Sequence, residues 1–151
     1  MINKHIDFLQ MAVDESAKSV NKGSSPFGAV IVKDGVVIAR AHNTVVPKSD
    51  PTAHAEVNAI RSACKKLGTF DLSGCVLYTS CEPCPMCNAA IKWSNIKQVF
   101  YAADQYDADK IGFRDSRMFN GKCPIKLTHI EMPSAVDVMN RWYKSKNKKK
   151  Y

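Results

Sequence analysis

Apolar residues in this 151-residue chain alternate between helix-like spacing and short continuous runs. A spacing of three and four predicts an amphipathic helix over 2–21, and its apolar residues are Ile2, Ile6, Leu9, Val13, Ala17 and Val20. Two apolar runs, 29–32 and 36–39, flank Lys33-Asp34-Gly35. An Asp-Gly pair between such runs predicts a β-hairpin.

The remainder of the chain continues the alternation. The patterns predict a helix over 51–67, a buried strand over 75–80, a helix over 83–94, a strand over 98–103, a weaker strand over 127–132 and a last helix over 134–146. Strands that alternate with helices indicate an α/β fold whose sheet is covered on both faces. No repeat or linker divides the chain, so we expect one domain spanning 1–151.

The composition narrows the class of protein. No run of eighteen apolar residues is present, so we expect no membrane span, and the N-terminus lacks the apolar core of a signal peptide. We therefore expect a cytoplasmic protein whose six cysteines are reduced.

The positive charge is concentrated at the C-terminus. The chain has a net charge of +8, but residues 141–151 carry six basic and no acidic residues, which leaves +2 for the rest. A basic tail such as the one at about 144–151 is usually a solvated segment. The alternative interpretation is an arm that binds RNA or another protein. Without a basic face on the folded part, a nucleic-acid partner is not favoured.

Three cysteines lie within the segment SCEPCPMCNAAI, residues 80–91. Cys84 and Cys87 are three residues apart and share a face on a helix. Pro83 suits the first helical position, which places both thiols in the first turn, where the helix dipole favours thiolate. Two thiolates and an imidazole form a ligand set that suits zinc.

The imidazole is offered by His54 in the segment PTAHAEVNAI, residues 51–60. Asp50 can cap a helix that Pro51 begins, which places His54 and Glu56 near its start. If this helix end faces the cysteine cluster, His54 becomes the third protein ligand. Glu56 then stands beside the fourth position, where catalytic zinc holds a water whose pKa falls from about 15.7 to about 7, and it can carry the proton.

Two other interpretations of the cysteines are weaker. An iron–sulfur run would require a further cysteine at 91, where the chain has Ile91, so Cys81 is better explained as a strand-end residue. A structural zinc in a binding module would explain the cysteines but not Glu56.

The two motifs together, His54-Ala55-Glu56 and Pro83-Cys84-Pro85-Met86-Cys87, match the signature described for the zinc-dependent nucleobase and nucleotide deaminases as a class. Further segments resemble bacterial guanine deaminases, in order along nearly the whole chain: PFGAVIVKDG (26–35), HNTV (42–45), DPTAHAE (50–56), LYTSCEPCPMC (77–87), IGFRDS (111–116) and the final KKKY. The resemblance implies a three-layer α/β/α sandwich around a five-stranded mixed sheet, as in cytidine deaminases. It also implies one Zn²⁺ per chain and a homodimer, in which members of the group can exchange C-terminal segments.

The implied reaction is hydrolytic deamination of a purine base, guanine and water giving xanthine and ammonia. By resemblance, Glu56 moves the water proton to the ring and Asp115 helps the amine leave. Asn43 matches the position that hydrogen-bonds the base, and Ala55, in the matched segment 50–56, is a further candidate for binding the substrate. A flat base also requires an aromatic wall. The candidates for that wall are Phe27, Trp93 and Tyr151.

Two departures concern the substrate. Arg114 stands where the family leads us to expect an acidic residue, and the segment 120–126 is shorter than usual. The alternatives are a tRNA adenosine deaminase, which the basic tail favours but Cys81 and Pro85 oppose, and a guanosine deaminase, which would need room for a ribose.

Overall fold

A computed structural model describes residues 2–146 and 149–150. Its elements are α1 (Ile2–Asn21), β1 (Gly28–Lys33), β2 (Val36–His42), α2 (Val45–Lys48), α3 (Ala55–Leu67), β3 (Cys75–Cys81), α4 (Pro85–Trp93), β4 (Gln98–Ala103), α5 (Gln105–Lys110), α6 (Asp115–Phe119) and α7 (Pro133–Lys144). The predicted first helix, the hairpin and the strands at 75–80 and 98–103 are confirmed.

The strands form one mixed sheet in the order β2-β1-β3-β4. β1 pairs antiparallel with β2 and with β3, whereas β3 and β4 are parallel. The hairpin turns at Asp34 and Gly35, whose φ angles of 50° and 76° are the two positive values that a two-residue hairpin of the primed type requires.

Helices cover both faces of the sheet, as predicted. Alternate residues of β1 point to opposite faces, so Ala29 and Ile31 pack with α3 while Val30 and Val32 pack with α1. β1 is buried on both faces for this reason. The α3 side is the one that carries the candidate site.

Gly28 sets the distance between α1 and the start of β1. A Cβ atom built there would meet the carbonyl oxygen of Ala12 and the backbone nitrogen of Ser16. Only glycine lets the two backbones approach this closely. The same approach brings the Gly28 N–H to the hydroxyl of Ser80, which accepts from it at 3.0 Å.

The prediction of five strands is wrong for the described residues, because the sheet has four. Residues 127–132 form no strand. Strand structure needs a neighbour to satisfy the backbone groups, and this segment lies away from the sheet, with Leu127 83% and Ile130 76% exposed. β4 is therefore left at the edge of the sheet.

Both predicted helix starts in the site region are wrong by a few residues. α3 begins at Ala55, because Asp50 accepts hydrogen bonds from the backbone N–H and hydroxyl of Thr52 and forms a turn instead of a cap. α4 begins at Pro85, not Pro83, because the residue before a proline is disfavoured in helical conformation. Cys84 is accordingly extended, with a ψ of 167°.

The C-terminal segment carries an exposed apolar surface. α7 has no buried residue, and the large apolar side chains exposed in this segment are Ile125, Leu127, Ile130, Met132, Val136, Val138, Met139, Trp142 and Tyr143. None of the helices among the described residues is both long and apolar enough to span a membrane.

Candidate active site

The N-termini of α3 and α4 meet at one end of the sheet. His54 is the N-cap of α3 and Cys84 is the N-cap of α4, while Cys87 lies in the first turn of α4. Both N-cap residues are extended, with φ and ψ of −67° and 157° for His54 and −63° and 167° for Cys84. Their side chains can therefore extend beyond the helix ends, which is how His54 and the cysteines come together.

The three side chains form a compact donor set. The Nδ1 atom of His54 lies 3.6 Å from Sγ of Cys84 and 3.5 Å from Sγ of Cys87, and all three donor atoms lie within 4.8 Å of one another. Tetrahedral zinc with Zn–N of about 2.0 Å and Zn–S of about 2.3 Å places its ligand atoms roughly 3.5–3.8 Å apart. The His54/Cys84/Cys87 set can thus hold one metal ion, and its chemistry and spacing suit zinc.

The three donor residues influence one another's pKa values, and Cys84 is the thiol most readily ionised. The pKa of Cys84 is lowered to about 4, because the Cys87 thiol donates a hydrogen bond to it and His54 adds a second. The pKa of His54 is raised by its hydrogen bond with Cys84. The pKa of Cys87 is raised by that same partnership with Cys84 and by burial. A bound metal ion would reverse the last effect, because a coordinating thiol loses its proton.

Glu56 stands directly beside the donor set and is 6% exposed. Its Oε2 accepts a hydrogen bond from Cys87 Sγ at 3.4 Å, and its Oε1 accepts one from the hydroxyl of Thr79 at 2.9 Å. Burial raises the pKa of Glu56, opposed in part by the Thr79 bond. A carboxyl group whose pKa is raised in this way takes up a proton more readily than an exposed carboxylate does.

A cavity of about 110 Å³ opens next to these residues. It is lined by His54, Glu56 and Cys84, and by three predicted site residues, Phe27, Asn43 and Asp115. The cavity is much smaller than the 300–1,000 Å³ typical of sites for drug-sized ligands. A small ring system matches its size.

The turn that carries Asn43 is held by several hydrogen bonds. The Asn43 N–H donates to the Phe27 carbonyl at 3.0 Å, and its Oδ1 accepts from the Val45 N–H at 3.0 Å. The hydroxyl of Ser19 donates to the Asn43 carbonyl at 3.3 Å. With Oδ1 engaged, Nδ2 is the side-chain group that Asn43 offers to a ligand as a donor.

Asp115 is the first residue of α6 and lines the cavity. Burial raises its pKa, and the negative charge of Cys84 acts in the same direction. α6 is joined to α5 through Asp109, whose carboxylate accepts hydrogen bonds from the backbone N–H and the hydroxyl of Ser116.

Two further predicted site residues, Trp93 and Ala55, do not line the cavity. Trp93 is 63% exposed at the end of α4 and is not part of the cavity wall. Ala55 is fully buried in the core against β1. Tyr151 lies outside the described residues. Cys81 lines the cavity but is not in the donor set, and burial raises the pKa of its thiol to about 12.

Two residues of the site were missed from the sequence. Phe113 lines the cavity and contacts Phe27, one of the three aromatic candidates, edge to face with ring centroids 5.0 Å apart. Thr79 supports Glu56. The alternation of strand residues offered a signal for Thr79, since it shares a face with Leu77, which packs under α3.

The family of the chain follows from comparison with known proteins. Residues 2–103 match the family model of the cytidine and deoxycytidylate deaminase zinc-binding region. The chain belongs to this deaminase family. The match covers the whole sheet and both helices of the donor set.

Individual relatives differ in how much of the chain they match. Guanine deaminase of Bacillus subtilis is 47% identical over 154 residues, which covers 97% of this chain and 99% of that protein. The X-ray structure of guanine deaminase from Bacillus subtilis superposes with a TM-score of 0.91 over 97% of this chain and 98% of the other. A tRNA-specific adenosine deaminase of Aquifex aeolicus is 48% identical, but over 64% of each chain.

The fold and cofactor expectations are confirmed at the level of the family. The chain has the mixed-sheet α/β fold of the guanine deaminase structure. It belongs to a zinc-binding family and contains a His/Cys/Cys group able to bind one metal ion.

Proposed function

We propose that this protein is a zinc-dependent guanine deaminase, a hydrolase that converts guanine and water to xanthine and ammonia. The observation that carries the proposal is the position of Glu56. Its carboxyl group is buried between the hydroxyl of Thr79 and the His54/Cys84/Cys87 set, at the wall of a cavity of about 110 Å³. The full-length likeness to Bacillus subtilis guanine deaminase gives the substrate class.

Zinc held by His54, Cys84 and Cys87 would supply Lewis-acid chemistry, lowering the pKa of a water molecule at its fourth position to about 7. Glu56 would take up a proton from water at Oε2, the oxygen that faces the donor set, while Thr79 holds Oε1. Glu56 then delivers the proton to a ring nitrogen of the base. Because its pKa is raised, Glu56 takes up this proton more readily than an exposed carboxylate would and releases it less readily.

The amine must leave as neutral ammonia, which requires a second proton. Asp115 lines the same cavity, and its pKa is raised by burial, which favours the protonated form that can donate. We assign Asp115 the role of delivering a proton to the departing amine and of taking up the second proton of the attacking water, which is lost as the carbonyl of xanthine forms. Glu56 and Asp115 thus divide the proton transfers between α3 and α6.

Recognition of the base combines one amide with two aromatic rings. Asn43 offers Nδ2 as a donor, and the purine ring of guanine carries acceptors at N7 and O6. Phe27 and Phe113 present an apolar wall next to it. The small cavity favours a free base over a nucleoside, because a cavity of about 110 Å³ that holds the base leaves no room for a ribose.

A substrate screen tests the function. Ammonia release from guanine, guanosine, adenine, cytosine and a tRNA anticodon stem-loop should be largest by far for guanine. The alternatives were a tRNA adenosine deaminase and a guanosine deaminase, and higher kcat/KM on the stem-loop or on guanosine would contradict the proposal. Asn43→Ala should raise KM for guanine while zinc content is unchanged.

We also propose a homodimer of single deaminase domains that exchange their C-terminal segments, including the basic tail at about 144–151. Two features support this: apolar side chains exposed between 125 and 143, which are costly to leave in water, and the outer edge of β4, which pairs with no strand among the described residues and can accept one from another chain. In such a dimer, residues 127–132 of one chain would supply the fifth strand to the other. Tyr151, a candidate for the aromatic wall, belongs to the same C-terminal segment of the sequence.

The mass of the particle in solution tests the exchange. Leu127→Asp together with Ile130→Asp should convert a dimer to a monomer, as seen by light scattering. Val46→Asp, which places the same charge on an apolar residue of α2 that is 69% exposed, should leave the dimer intact. A monomeric parent protein, or a double variant that remains dimeric, would contradict the exchange.

A further inference from the structure

Two asparagines occupy equivalent places in the helices that carry the metal ligands. Asn58 is four residues after His54, and Asn88 is four residues after Cys84. His54 and Cys84 are the N-cap residues of α3 and α4. Each asparagine is therefore the fourth residue of its helix, one turn from a ligand.

Their side chains make the same hydrogen bond. Nδ2 of Asn58 donates to the carbonyl of Ala53 at 3.2 Å, and Nδ2 of Asn88 donates to the carbonyl of Pro83 at 3.0 Å. In each case the acceptor belongs to the residue just before the ligand. Ordinary helix geometry does not supply this bond, because the residue before the N-cap lies outside the helix.

The backbone N–H of each asparagine donates to the carbonyl of the ligand residue itself. The Asn58 N–H donates to the His54 carbonyl at 2.9 Å, and the Asn88 N–H donates to the Cys84 carbonyl at 2.8 Å. One residue thus holds the peptide group on each side of a ligand. The φ and ψ angles of the ligand are the rotations between those two peptide groups, so holding both groups restricts both angles.

The ligand conformations agree with this arrangement. The φ angles of His54 and Cys84 differ by a few degrees, at −67° and −63°, and their ψ angles are 157° and 167°. Neither residue has a side-chain cap bond of its own, which leaves the imidazole and the thiol free for metal. Two unrelated sequences, AHAEVN and PCPMCN, reach the same backbone shape with an asparagine at the same place.

We propose that Asn58 and Asn88 are positioning residues that lock the backbone of the metal ligands His54 and Cys84 in the extended conformation that directs their side chains to a shared ion. This deepens the proposed function, since it concerns the same site. Each asparagine acts on a different ligand, so their effects on metal affinity multiply.

Asn58 has a second task that Asn88 lacks. Its Nδ2 also lies 3.0 Å from the His42 carbonyl and 2.9 Å from the hydroxyl of Thr44, so its two protons are shared among these two acceptors and the Ala53 carbonyl. These two residues flank Asn43, the proposed base-binding residue. Asn58 therefore joins the metal site to the base-binding turn, whereas Asn88 acts on the metal site alone.

Zinc affinity is the deciding measurement, because it needs no substrate. Asn58→Ala and Asn88→Ala should each weaken zinc binding at least tenfold in competition with a chromophoric chelator, and the double variant about a hundredfold, the range typical for losing groups that support metal ligands. Asn58→Leu and Asn88→Leu keep the side-chain size without the donor and should show the same losses. The visible spectrum of the cobalt-substituted variants should change with the ligand geometry.

The matched control is Gln10→Ala. It also removes a helical side-chain amide and its hydrogen bond, here to Asp14 at 3.0 Å, but far from the site. It should keep the parent zinc affinity and cobalt spectrum. At saturating zinc, Asn58→Ala should also raise KM for guanine, and Asn88→Ala should not.

Zinc affinity within about twofold of the parent in the folded Ala or Leu variants would overturn the proposal, even if their melting temperatures fell, because the amides would then serve stability alone. Retained affinity in the Leu variants with loss in the Ala variants would also overturn it, since side-chain volume would be the cause. The absence of guanine turnover in the parent would refute the proposed function and leave the zinc result standing.

Discussion

Removing the hydroxyl of Thr79 should shift the pH dependence of the enzyme. Thr79 is 1% exposed, and its hydroxyl donates to Glu56 Oε1 at 2.9 Å, closer than its other acceptors at 3.1 and 3.4 Å. Thr79→Val keeps the branched shape at this position and removes the donor. The bond favours the ionised form of Glu56, so its loss should raise the pKa of Glu56 further.

The size of the shift follows from the strength of such bonds. A hydrogen bond to a charged group contributes about 1.5–3 kcal/mol, and one pKa unit corresponds to about 1.4 kcal/mol. The pKa of Glu56 should therefore rise by about 1–2 units. Since Glu56 must be ionised to accept the water proton, the acidic limb of the kcat/KM profile should move to higher pH by the same amount.

The assay is guanine turnover across the pH range, with zinc content measured for each sample. Thr79→Ser keeps the hydroxyl and is the matched control, which should retain the parent profile. An acidic limb for Thr79→Val that coincides with that of the parent, at equal zinc content, would refute the role given to this bond.

Three further predictions concern packing and protonation. Gly28→Ala should lower the free energy of unfolding by about 1–3 kcal/mol, because the new methyl group meets the Ala12 carbonyl. An unchanged denaturation curve would contradict this. In metal-free protein the pKa of Glu56 is raised, so the stability that its protonated form contributes at low pH is lost as the pH rises through that pKa. In urea denaturation Glu56→Gln should therefore be more stable than the parent at pH 8, and the difference in free energy of unfolding should narrow toward pH 4. A difference that does not change with pH would contradict this prediction. Iodoacetamide at pH 6 should label Cys84 of metal-free protein, with a pKa of about 4, and spare Cys81, with a pKa of about 12; equal labelling in a peptide map would refute the assignment.

The sequence predicted the layers of the fold because burial leaves a clear pattern. Apolar runs and helical spacing located α1, β1, β3 and β4, and the Asp-Gly pair located the hairpin turn. The pattern failed at 127–132, which was predicted as a weak strand but pairs with no strand among the described residues. Pairing depends on distant residues, so the local pattern could not decide it.

The metal-binding part of the candidate site could be predicted from residue type and spacing. Histidine and cysteine at motif spacing indicate metal binding whether or not the helix starts are known, and the structure brings His54, Cys84 and Cys87 together. The supporting contacts were not predictable in the same way. Thr79 and Phe113 reach the site through tertiary packing, which the order of residues does not reveal.

The predicted helix starts were wrong for reasons that the sequence itself contained. Pro85 disfavours helical geometry at Cys84, so the cysteine becomes the N-cap and is extended. This error matters for the mechanism, because an N-cap side chain can project past the helix end more readily than one inside the first turn. The same geometry recurs at His54.

The central claim is that Glu56 carries the proton in a zinc-dependent deamination of guanine. The most direct test measures zinc content and guanine-dependent ammonia release together in the parent and in Glu56→Gln. Loss of a general acid–base group typically costs about 10²–10⁴-fold in rate, so the variant should hold about one zinc per chain and lose at least a hundredfold in kcat. A variant with full zinc content and parental turnover of guanine would contradict the account.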